Sequence, residues 1–254
     1  MTTVTVMPDG RVQAQKGDFT LGMYSNARGA HKQFSWIASL TAIAAEVFDG
    51  VRKSSVYAFT EKLKGATALA APLAAMPEAL TFGIKSVRSY VDLTAECTSK
   101  TIKKAFGNTV KCAQRAAESA TALMKLNVID AAGLVAAKFF KDGFACIIDV
   151  MSIQDAFATE VKVDKCANTK IKEIWQKENN CAFAKGVVGL AFHAMNVAGL
   201  LCAGVVTFHM VTAVASIYTV TVLSNVWYNI ERTDLESEIA ATAINTKMNS
   251  PSAS

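Results

Sequence analysis

The chain has 254 residues, 52% of them hydrophobic and only 19% charged, with a formal net charge of +5 at pH 7. Soluble domains carry about 25% charged residues, so this chain is short of side chains that wet a surface, as expected of a protein that gives part of its surface to lipid. A net charge of +5 suits an acidic membrane surface but is too small to argue for a nucleic acid partner.

The opening stretch, MTTVTVMPDGRVQAQKGDFT, lacks the basic-then-apolar order of a secretory signal, so any membrane segment is expected to be internal. Residues 1–29 read as a polar, flexible leader with Pro8-Asp9-Gly10 as its turn signal. The prolines are Pro8, Pro72, Pro77 and Pro251. The long interval between the last two permits long helices, and residues 30–180 are expected to form a helical region. Phe34–Phe48 is apolar but shorter than the roughly twenty residues of a spanning helix, which predicts a core or interfacial helix. GATALAAPLAAMP, residues 65–77, predicts an Ala-rich helix broken at Pro72.

Between Thr98 and Leu126, Ile102, Phe106, Val110, Ala113, Ala117, Ala120 and Met124 recur at helical spacing, which predicts an amphipathic helix with these residues as its apolar stripe. Lys103, Lys104, Lys111 and Arg115 lie mostly off that stripe. They are candidates for contact with an anionic membrane surface or an acidic partner, and equally an ordinary solvated face. In Val128–Ala158 the charges Asp130, Lys138, Lys141, Asp142, Asp149 and Asp155 project into a sector of about 140° at 100° per residue. That predicts one helix with a narrow polar edge and a wide apolar flank, with Gly133 and Gly143 as points of bending. The lysine-rich stretch that follows ends in Asn179-Asn180, which reads as a helix stop.

Gly186–Tyr228 contains no Asp, Glu, Lys or Arg. As one straight helix it would extend about 65 Å, twice the roughly 30 Å hydrocarbon core. Two crossings fit if the chain turns at Gly204, giving spans at Gly186–Ala203 and Val205–Tyr228. Residues 181–230 are thus expected to be a transmembrane hairpin and residues 231–254 a polar tail. Lys185 would snorkel outward, and Trp227 and Tyr228 suit an interfacial belt. Gly199 and Ala203 form a small-xxx-small pair, and Thr212, Ala215, Ser216 and Thr219 form a hydroxylated edge; both suit close helix contact in lipid. Two crossings return both flanks to one side, which the lysines before Lys185 mark as cytosolic. The competing readings are a soluble helical bundle with this hairpin buried as its core and, for IYTVTVL, a buried strand.

The chain holds three histidines, none at helical metal-ligand spacing to another. His193 and His209 lie in the uncharged run, where an ionisable group is costly. Each reads either as a relay or ligand group or as a neutral ring bonded to a neighbouring helix. The six cysteines are scattered without a CxxC pair and read as small core residues in a reducing compartment. No phosphate-loop, dinucleotide, nucleophile-elbow, zinc or calcium motif occurs, so neither an enzyme nor a cofactor or metal site is expected.

The paired hydrophobic segment Gly186–Tyr228 and, secondarily, the uncharged start MTTVTV at Met1–Val6 resemble the inclusion-membrane (Inc) proteins of chlamydiae. The likeness covers about a fifth of the chain and lies in architecture, with no residue signature. It implies export by type III secretion as an effector, insertion in the inclusion membrane, and flanking regions that face the host cytosol and recruit host proteins. The reading as a whole is an all-α helical membrane protein with amphipathic helices and a C-terminal hydrophobic hairpin, acting as a scaffold. Its partners would be the lipid bilayer, an unidentified protein and a possible second copy of itself. The runner-up is a membrane-remodelling protein that uses the basic helix and the hairpin as wedges.

Overall fold

The structure is a computed structural model that describes residues 3–6, 12–15 and 27–249. The Pro8-Asp9-Gly10 turn signal lies outside the described residues. Strands β1, Thr3–Val6, and β2, Val12–Gln15, pair antiparallel with Thr3 opposite Gln15 and Val6 opposite Val12. From Ala27 to Asn249 the regular elements are helices: α1 Ala27–Val47, the short α2 Asp49–Arg52, α3 Ser55–Ala95, α4 Ser99–Lys125, α5 Leu134–Asp164, α6 Thr169–Leu201 and α7 Phe208–Asn249. A single 3-10 turn, Ala131–Gly133, precedes α5.

Local chemistry fixes several of the helix starts. The Ser54 hydroxyl accepts from the Tyr57 N–H ahead of α3, and Asn168 Oδ1 accepts from the Ile171 N–H at 3.1 Å ahead of α6. Thr98 and Thr101 form a reciprocal capping box ahead of α4. Such side-chain oxygens satisfy N–H groups that have no partner within the helix.

Three expectations are corrected here. Helix α3 runs through Pro72 and Pro77 without a break; the flanking alanines have the highest helix propensity and sustain it across the missing N–H donors. Helix α6 runs through Asn179 and Asn180, because the Asn179 amide donates to the Ala156 carbonyl on α5 at 3.0 Å instead of ending its own helix. Val128–Ala158 is not one helix: Asp130 caps the 3-10 turn, accepting from the Ala132 N–H at 3.0 Å, and the regular helix begins at Leu134. IYTVTVL is helical, within α7.

Each long helix packs on its chain neighbours: α1 on α3, α3 on α4, α4 on α5, α5 on α6 and α6 on α7. The last helix then returns to the first. Trp36 Nε1 on α1 donates to Ser216 Oγ on α7 at 2.8 Å, and Glu46 Oε2 on α1 meets His209 Nε2 on α7 at 2.9 Å. Among the described residues no long helix touches any other, so the helices form one closed layer with none at its centre.

That arrangement explains the composition of the core. Its buried apolar residues are nearly all alanines (Ala38, Ala45, Ala75, Ala105, Ala122, Ala137, Ala145, Ala156, Ala241), joined only by Val110 and Val163. The seams are also polar: Ser86 Oγ lies 2.6 Å from Thr109 Oγ1, and Asn108 Nδ2 donates to Ser89 Oγ at 2.9 Å, both between α3 and α4. Small residues bring helix backbones close, and hydroxyls tie them across the seam; both devices serve where the hydrophobic effect does not drive helices together. The large apolar side chains point outward instead, among them Leu80, Ile84, Val87 and Val91 on α3 and Phe139, Phe140 and Val150 on α5.

The apolar stripe expected on α4 is corrected in part by the same geometry, with Val110 buried as expected. Ile102 and Phe106 are exposed, and the buried face is Ala105, Gly107, Val110, Ser119, Thr121 and Ala122. Size, more than hydrophobicity, decides which side chain enters a close seam.

Candidate membrane hairpin and its polar contacts

Helices α6 and α7 are both long and apolar enough to cross a membrane. At 33 and 42 residues they extend about 50 and 63 Å at 1.5 Å per residue, each longer than a hydrocarbon core of roughly 30 Å is thick. Only 11% and 6% of their most apolar windows is buried within the protein. The chain reverses between Leu201 and Phe208, and Gly204 in that turn has φ +85°, a left-handed conformation that side chains other than glycine resist. Ala203 lies in the turn, beyond the end of α6. It therefore shares no helix edge with Gly199, whose Cα faces Val206 across the turn.

Thr212 is buried and donates to the Phe208 carbonyl at 3.0 Å. Ser216 donates to the Thr212 carbonyl at 2.8 Å while accepting from Trp36. Ser216 thus belongs to the seam between α7 and α1.

The hairpin packs tightly on α5 at Gly186 and Gly189, which sequence reasoning did not single out. A Cβ at Gly186 would stand 2.7 Å from Ile153 Cγ1, and one at Gly189 would stand 2.8 Å from Asp149 Oδ1. The available signal was their spacing of three in an apolar helix, which places both on one edge.

Through this gap α5 delivers its carboxylates to the hairpin. Asp142 and Asp149 are 4% and 8% exposed. His193 Nδ1 lies 2.9 Å from Asp142 Oδ1, and its Nε2 lies 4.0 Å from Asp149 Oδ2. Lys141 Nζ is 3.5 Å from Asp142 Oδ2. Two carboxylates of the polar edge of α5 are therefore turned inward, while Asp155 stays exposed and Phe139, Phe140, Ile147 and Val150 face outward. His209, the other histidine of the run, is exposed near the turn beside Glu46. No group of acidic, histidine and cysteine side chains among the described residues has the geometry to hold a metal. None of the cysteines is disulfide-bonded, and Cys97 and Cys202 are exposed.

At the polar base of the hairpin, Glu178 on α6 gathers groups from α7. Arg232 Nε lies 2.6 Å from Glu178 Oε2, Asn229 Nδ2 donates to Oε1 at 2.7 Å, and Asn225 Nδ2 donates to the Glu178 carbonyl at 3.0 Å. The Arg232 guanidinium also covers the Trp175 ring at 5.5 Å and pairs with Glu236 at 2.8 Å.

The four candidate surface-binding residues of α4, Lys103, Lys104, Lys111 and Arg115, have partners inside the chain. Lys103 pairs with Asp155 at 2.6 Å and Lys104 with Asp92 at 2.9 Å. Lys111 stands over the Phe82 ring at 5.8 Å, and Arg115 pairs with Glu78 at 2.8 Å and Glu118 at 3.2 Å.

Compared with known family models, curated proteins and solved structures, the chain matches none. Its own geometry therefore carries the functional argument.

Proposed function

We propose that this protein is a non-enzymatic scaffold anchored in a membrane by the hairpin of α6 and α7. The observation that carries the reading is that the two helices apolar enough to cross a membrane bury few residues of their apolar stretches within the fold and leave the rest half-buried or exposed at its surface. An apolar core helix of a soluble bundle buries such a surface, whereas a lipid-facing helix leaves it outward. The polar clamp at Glu178 and Arg232 and the tight turn at Gly204 lie at opposite ends of the apolar stretch, as the two surfaces of a bilayer require. With the turn on the far side, the polar ends of α6 and α7 that carry Glu178 and Arg232 lie on the cytosolic side and offer a surface to a protein partner. Under the likeness to inclusion-membrane proteins, that side is the host cytosol. The pairing of Lys103, Lys104 and Arg115 with acids of the chain favours this anchoring role over a basic membrane wedge.

Carbonate extraction of membranes, combined with glycosylation acceptors inserted beside Gly204 and after Asn249, tests the reading. Expected are a chain retained in the carbonate pellet, modification at the turn and none at the end. Release into the carbonate supernatant would remove the anchor and the scaffold role built on it.

A further inference from the structure

We infer that α5 is a third membrane-embedded helix, lying against α6 with its outward apolar face on lipid acyl chains. The inference rests on the hairpin reading above and extends it. Helix α5 runs antiparallel to α6, and the contacts between them fix the register. Asn179 meets Ala156, the Phe157 and Phe183 rings lie 5.3 Å apart, Gly186 faces Ile153, and His193 meets Asp142. The first half of α5 therefore stands beside the uncharged run that begins at Gly186, at the same depth in the bilayer.

At that depth α5 presents Phe139, Phe140, Ile147 and Val150 outward, with Phe140 54% exposed. These side chains continue the apolar face of the hairpin. Helix α3 also exposes apolar residues, but it makes no contact with α6 or α7 and so has no such continuity.

The charges of α5 are disposed as lipid requires. A lone carboxylate at the centre of a bilayer is costly, and ionisable groups there face other helices and pair. Asp142 does both, meeting the only ionisable ring of the first hairpin helix at 2.9 Å, and Asp149 faces the same ring at 4.0 Å. Conversely, His193 finds its partners on α5 and would otherwise stand unpaired in the run. On the neighbouring α4, Arg115 is turned inward to Glu78 and Glu118. Lys138, near the start of α5, has a stem long enough to lift its ammonium toward the Gly204 side.

The test uses the full chain reconstituted in phosphatidylcholine and phosphatidylglycerol vesicles that contain a phospholipid with a diazirine in mid-chain. After illumination, the labelled residues are mapped by mass spectrometry. Labels on both the Phe139–Val150 stretch and the hairpin are the expected result. Labels on the hairpin with none on α5 would overturn this inference and leave the anchor standing. They would indicate that protein, such as a second copy of the chain, covers that face. Absence of label from the hairpin itself would sink the anchor, and this inference with it.

Discussion

Arg232 on α7 places its Nε 2.6 Å from the Glu178 carboxylate on α6, with both side chains largely out of solvent. The pair closes the hairpin at the end opposite its turn, so two apolar helices are held at a fixed spacing by one ion pair and its amide neighbours. Truncating one partner of such a pair leaves a buried charge without its counterpart, which is costlier than the pair is favourable. Arg232→Leu is expected to destabilise the hairpin by about 3 kcal/mol, read by denaturant titration in detergent micelles. Combining it with Glu178→Leu should recover part of that loss, and strictly additive effects would show that the two residues do not interact.

Gly189 is where α6 admits Asp149. Because an added Cβ would meet the carboxylate at 2.8 Å, Gly189→Val must displace the Asp149 side chain or α5 itself, at a cost of about 1–3 kcal/mol. Thermal unfolding in detergent should show a lower midpoint. An unchanged midpoint would mean that α5 is not seated there.

Gly204 makes a contrasting case. No atom stands within 4 Å of a Cβ built at Gly204, so only its φ of +85° resists a side chain. Gly204→Val should cost about 1–2 kcal/mol, and Gly204→Asn clearly less, since asparagine tolerates the left-handed region. Equal effects of the two substitutions in the same unfolding measurement would argue against this turn.

His193→Leu removes the ring that meets Asp142 at 2.9 Å. Lys141 remains 3.5 Å from the same carboxylate and offsets part of the loss. The expected destabilisation is at the low end of the range for a broken buried pair, about 3 kcal/mol. Asp142→Asn with His193 intact should cost less, because the amide can still bond the ring. Equal losses would count against the pairing.

Lys125 gives a pH dependence of known sign. Burial, with Lys138 and Lys141 nearby, holds its ammonium below the ordinary lysine value of 10.5. The unfolded chain therefore binds the proton more tightly. The penalty is fully present at neutral pH and is relieved as pH rises from the depressed value toward 10.5. Stability should climb slightly across that alkaline window in the wild type, and Lys125→Gln should reduce the climb. The effect is small because the side chain is partly in water.

The sequence by itself determined the helical class, the apolar hairpin and its point of reversal, because each is written in local chemistry. A long interval free of proline permits helices, an uncharged stretch too long for one crossing must fold back, and a glycine accommodates the sharp turn. Periodicity failed where neighbouring helices, and not water, choose the buried face. On α4, Ile102 and Phe106 were expected inside and lie outside, because a close seam selects for size and admits Ala105 and Gly107. Asn179 reads as a stop signal until a carbonyl on α5 engages its amide. The clustered charges of α5 were legible as an edge, but not the direction that edge would face. Only the tertiary structure decided that, by setting His193 and Gly189 of another helix against Asp142 and Asp149. Contacts between residues distant in the chain depend on which helices become neighbours, and no local pattern of residue types encodes that.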